Sequence, residues 1–174
     1  MDNKRVVVAR VNGEALTASD WYWEQTTEVM RAEYAHESIP SNEEIFKDLI
    51  ETKVISSTAR DLGIYPPEEQ VAAYITDQRK YMENLQPEEM TMLIQAWNIS
   101  EDEYFSLVEG RYADSLAKIN WGVYLRQYGD EVQDKEEGYT AQSPSWIDAD
   151  KIAPLIDKAN VEITPEGHQL GLSF

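Results

Sequence analysis

The sequence has no cysteine, two histidines, and 15 lysines and arginines against 33 aspartates and glutamates, for a formal net charge of -18. Without cysteine there is neither a disulfide framework nor a thiolate metal site, and the redox compartment is left open. His36 and His168 stand far apart, with no partner one helical turn away, so no metal site is expected of them. The acid excess repels phosphate backbones and anionic lipid headgroups, which argues against nucleic acid as a partner. It also serves a plainer end, a solvated and self-repelling surface that keeps the chain in solution. No apolar run approaches the roughly 18 residues of a transmembrane helix, and Met1-Asp2-Asn3-Lys4-Arg5 lacks the apolar core of a secretory signal. A glycine-rich phosphate loop and a nucleophile elbow are missing as well.

What is present suits one ordinary domain: 174 residues, 42% hydrophobic and 28% charged. Val6 to Val11 form a β-branched run, and Asn12-Gly13-Glu14 then Ala15-Leu16-Thr17 predict a tight turn and a second short strand. Thr17 with Asp20 caps a helix carrying Trp23, Thr27, Met30 and Tyr34 on one stripe, ending near His36 to Ile39. Ser41 with Glu44 is a capping box for a helix bearing Ile45, Leu49, Ile50, Val54 and Leu62, stopped by Gly63. Pro67 falls in the first turn of the next helix, with Val71, Tyr74, Ile75, Gln78 and Met82, closed by Pro87. A shorter helix over residues 88–97 follows. Ser100 with Glu103 then caps a long helix to about Tyr128, whose expected apolar stripe is Tyr104, Leu107, Val108, Leu116, Ile119, Val123 and Tyr124. Residues 130–145 are polar and acidic, interrupted by Gly138 and Pro144, and read as a loop. Beyond it, a short helix capped by Asp148 or Asp150 with Pro154 in its first turn precedes Val161-Glu162-Ile163, which alternates like an edge strand. His168 to Phe174 show no period and are expected to fray.

For bond chemistry the sequence offers little. Glu43-Glu44, Glu68-Glu69, Glu88-Glu89 and Glu101-Asp102-Glu103 are paired carboxylates, but each lies at an expected helix start, where the macrodipole favours negative charge. Asp148-Ala149-Asp150 lacks the glycine and closing glutamate of a calcium loop. No cofactor, metal or catalytic residue is expected.

Several segments together resemble the N-terminal SurA-like domain of the SurA and PrsA foldases. Val8 to Thr17 is similar to the family's opening strand, Asn-Gly-Glu turn and helix entry. Leu49-Ile50-Glu51, Lys53-Val54-Ile55, Ala59, Leu62-Gly63-Ile64, Glu69 and Val71 resemble its helix, glycine stop and restart, and Trp97 to Tyr104 its capped entry into a long helix. Ala159-Asn160-Val161-Glu162-Ile163 resembles the strand that returns after the family's catalytic insert. The resemblance implies a mostly α, α+β fold: a bundle of five to six helices with a small antiparallel sheet pairing the N-terminal and C-terminal strands. It makes residues 1–174 a single domain, with a core at 5–129, a returning segment at 146–165, and the acidic loop 130–145 where a parvulin isomerase domain would sit. With that domain missing and only two histidines, isomerase activity is not implied.

What remains by resemblance is a chaperone module that holds unfolded polypeptides without ATP in an apolar crevice. It works outside the cytoplasm, at the cell surface or in the periplasm, and reaches a membrane only through a signal or anchor outside this sequence. Five tryptophans, ten tyrosines and five methionines supply an adaptable apolar inventory for unlike clients. The candidate client-binding residues are Tyr81, Met82, Met90, Met92, Leu93, Trp97 and Tyr104, for which ordinary core packing is the plainer explanation. Two competing readings are an assembly module, whose apolar surface is covered by one dedicated partner or by strand or helix exchange in a homodimer, and a degenerate isomerase.

Overall fold

Asn12 and Gly13 both take positive φ, 52° and 84°, the combination that a two-residue type I′ hairpin turn requires. They join β1 (Val7–Val11) to β2 (Glu14–Thr17) in antiparallel register. A computed structural model describes residues 5–85, 94–95, 97–128 and 149–174. Over these it shows six helices and a three-stranded antiparallel sheet of order β2-β1-β3, with β3 spanning Val161–Ile163. The chain therefore closes on its own beginning: Ala9 faces Ile163, Arg10 faces Glu162, and Val11 faces Val161. Val8 and Ala9 are adjacent yet both buried, because the β1–β2 register shifts between Val7 and Ala9 and breaks the strict in-out alternation.

Thr17 and Asp20 form a reciprocal capping box that starts α1 (Ala18–Ala35), and His36 ends it in the left-handed conformation. Ser41 and Glu44 repeat the device for α2 (Asn42–Asp61), which Gly63 terminates at φ 68°. The Ser41 N–H and hydroxyl both donate to the Glu44 carboxylate, the N–H first, and hold its pKa below the ordinary range. In α3 (Glu68–Leu85) the first backbone donors return to the Pro67 carbonyl, so Pro67 lies just outside the helix and not in its first turn. Ser100 receives the Glu103 N–H at the start of α4 (Glu101–Tyr128). Pro154 sits well inside α5 (Ala149–Ile156) instead of in its first turn.

The C-terminal stretch does not fray. Thr164 caps α6 (Pro165–Gln169) by accepting the Gly167 N–H, and its hydroxyl donates to the Val7 carbonyl at 2.8 Å. Leu172 beyond it is buried in the main core with Val8, Val11, Leu16, Trp21, Phe46 and Ile50. That core lies between the sheet, α1 and α2, with Trp21 and Phe46 edge to face at 6.3 Å.

The α4 stripe also departs from expectation, since Ile119 and Val123 are exposed at 51% and 38% while Phe105, Ala113, Ala117 and Trp121 are buried. A 28-residue helix meets different neighbours along its length, and its buried face follows them. Near its start Tyr104, Phe105 and Val108 pack with Trp23 of α1 and Ile75 of α3. Farther along, Trp121 packs with Ile55 of α2 and Ile152 of α5. The acidic loop at 130–145 and most of the expected helix at 88–97 lie outside the described residues.

Candidate functional site

Helices α3 and α4 pack along a seam lined with aromatic and apolar side chains. Tyr74 meets Tyr112 edge to face at 5.3 Å, and Val71 packs against Ala113 and Leu116. Toward the other end, Arg79 of α3 lies 4.2 Å over the Phe105 ring and pairs with Asp102 at 2.9 Å. On the outer side of this seam an open groove of about 410 Å³ runs beside the start of α3. Pro66, Val71 and Ala113 are its buried apolar floor, Tyr65 and Gly110 flank them, and Glu68, Ser106 and Glu109 stand exposed at the rim.

Behind the groove a charged cluster fixes α2 to α4. Lys53 donates to Asp114 at 2.6 Å, with the side chains only 13% and 5% exposed. The Tyr65 hydroxyl donates to the other Asp114 oxygen at 3.3 Å. Burial alone would lower the pKa of Lys53, but Asp114, with Asp20 and Glu14, lifts it above the ordinary lysine value. Burial and then the charge of Asp114 push Tyr65 up, so its hydroxyl stays a neutral donor. Arg60 covers one face of the Tyr65 ring at 3.8 Å and is paired with Glu14. Farther along α4, Lys118 donates to Thr52 of α2 at 3.1 Å, and Asn120 donates to the carbonyl of Ile64, just past α2, at 2.9 Å.

The candidate residues fall in three places. Tyr81 projects from α3 and is 52% exposed. Trp97 is half-buried and joins Tyr104 in one aromatic cluster, where Tyr104 is only 2% exposed, 6.3 Å from Trp23 and 5.4 Å from Phe105. In this conformation Tyr104 is a packed wall and presents no free surface. Met90, Met92 and Leu93, with the side chain of Met82, lie outside the described residues. Two polar atoms beside the cluster, Trp23 Nε1 and Thr27 Oγ1, are buried without a hydrogen-bond partner among the described residues.

The groove itself escaped the sequence reading. Its one visible signal was Gly110, an isolated glycine inside a strong helical pattern. The carboxylate pairs at 43–44, 68–69 and 101–103 stand in the first turns of α2, α3 and α4, and the pair at 88–89 lies outside the described residues. Among the described residues no cluster of three potential metal ligands occurs, and no helix is long and apolar enough to cross a membrane. What the groove can do is take up an apolar side chain of a partner, with a polar rim around it.

A family model described as SurA-like N-terminal domain matches residues 1–113, which include every residue of the groove. No curated protein and no solved structure matches the chain.

Proposed function

The chain belongs to the SurA-like N-terminal domain family, and from that membership we propose that it holds unfolded or partly folded polypeptides outside the cytoplasm, without nucleotide and without catalysis. The observation that carries the reading is the open groove with an apolar floor beside the start of α3; Tyr81, farther along the same helix, is a separate exposed aromatic residue. Such a groove binds by burying apolar side chains, which are worth about 25 cal/mol per Å² of surface removed from water. The gain is non-directional and suits unlike clients. Only residues 129–160 separate α4 from β3, and 149–156 of these are α5, so the interval leaves little sequence for a parvulin domain. Holding without isomerisation is the reading that this supports.

The test is light scattering of a denatured, aggregating client with the purified chain added at several molar ratios in nucleotide-free buffer. Suppression near stoichiometric ratios is expected, weakened at least several-fold by Tyr81→Ser. No suppression at any ratio contradicts the holding function. Catalysed refolding of a proline-limited substrate contradicts its non-catalytic character.

A further inference from the structure

Gly110 occupies the interior of α4, where glycine costs about 1 kcal/mol relative to alanine. Elsewhere in such a helix the usual reason for a glycine is a close neighbour, and here there is none: a Cβ built at Gly110 would meet no atom within 4 Å. The missing side chain instead leaves bare helix backbone at the edge of the groove over Pro66, Val71 and Ala113.

The charges around the groove are unevenly cancelled. Behind the floor, Lys53 is matched by Asp114 and Arg60 by Glu14. At the rim, Glu68 and Glu109 are exposed, and neither has an ion-pair partner among the described residues. The groove is thus apolar at its base and anionic at its mouth, in a chain of net charge -18.

We propose that this groove selects its clients, taking an apolar side chain of an extended segment into the space left by Gly110 while flanking lysines or arginines pair with Glu68 and Glu109. The inference rests on the polypeptide-binding reading above and adds the client class, apolar segments bordered by basic residues. Attraction at an exposed mouth acts over about 10 Å at 0.1 M salt and weakens as salt rises.

The test uses three fluorescent peptides of equal length with the same central Leu-Phe-Leu, flanked by lysines, by glutamines or by glutamates, titrated against the whole chain and read by anisotropy. The lysine-flanked peptide is expected to bind at least ten-fold more tightly than the glutamate-flanked one at low salt. Glu68→Gln/Glu109→Gln removes only two of the 33 acidic side chains, yet it should erase most of that preference, bringing the lysine-flanked and glutamate-flanked affinities together. Gly110→Phe fills the groove at a position with open space for a side chain, and should weaken all three peptides at least five-fold while the circular dichroism spectrum holds and the melting temperature does not fall. Full charge preference in the double variant means that only the overall field is at work and overturns the proposal, as does undiminished binding to Gly110→Phe. In either case the holding function stands if the peptides still bind. Failure of all three peptides together with failure to suppress aggregation removes the holding function itself.

Discussion

Lys53 reaches from α2 to Asp114 on α4 at a depth where neither charge has much water, and the Tyr65 hydroxyl completes the arrangement. Removing one member of such a pair strands the other, so Lys53→Met is expected to lower stability by about 3–5 kcal/mol in urea denaturation. Lys53→Met/Asp114→Leu, which removes both charges, should recover most of that loss. The pH dependence has a definite sign. Lys53 and Tyr65 both have folded pKa values raised above their unfolded ones, so the folded state holds each proton more tightly. Their stabilisation is complete below the unfolded values, about 10 to 10.4, and is lost as pH climbs through the folded values. The urea midpoint should therefore fall above about pH 10, and less steeply in the double variant. Two glycines make the opposite contrast. At Gly167 a Cβ would lie 2.1 Å from the Val8 carbonyl oxygen, in the backbone of β1, so Gly167→Ala should destabilise by at least about 1–3 kcal/mol. Gly110→Ala, with open space around it, should stabilise by about 0.5–1 kcal/mol.

At the scale of elements, the parts legible in the sequence were those written locally. The turn at Asn12-Gly13, the capping boxes Thr17/Asp20 and Ser41/Glu44, and the stop at Gly63 each depend on residues within a few positions of one another, and each is seen in place. Elements set by distant partners were harder to read. A single helical period draws the buried face of α4 through Ile119 and Val123, but its course is set by α1, α2, α3 and α5, and no single period describes it. The sequence of the chain's end predicts fraying, because a five-residue helix is too short to display a period. The signal there was capping chemistry, Thr164 ahead of Pro165 and Glu166. Leu172→Ala tests how firmly this element belongs to the fold: the side chain is buried with Val8 and Trp21, and its truncation should cost about 2–5 kcal/mol in chemical denaturation. A loss below about 0.5 kcal/mol would mean that the C-terminal element is peripheral to the core.

At the scale of the molecule, the sheet ties the C-terminal strand to the N-terminal one, and the packing of α3 on α4 leaves a groove open beside the start of α3. Composition displays an adaptable apolar inventory in the tyrosines, tryptophans and methionines, but it does not show which of them face solvent. Tyr81 and Tyr104 illustrate why: both are aromatic residues on amphipathic helices, yet one projects outward and the other is enclosed by Trp23 and Phe105. Exposure is fixed by neighbours far away in the chain, which local pattern does not encode. The groove stayed hidden for the same reason, since Pro66, Val71, Gly110 and Ala113 gather only when α3 folds against α4. The most direct measurement of client holding at this face is hydrogen–deuterium exchange of the whole chain, with and without a saturating denatured client. Client-dependent protection over residues 65–81 and 101–113 is the expected result; binding accompanied by protection confined to other elements would contradict the assignment of the face.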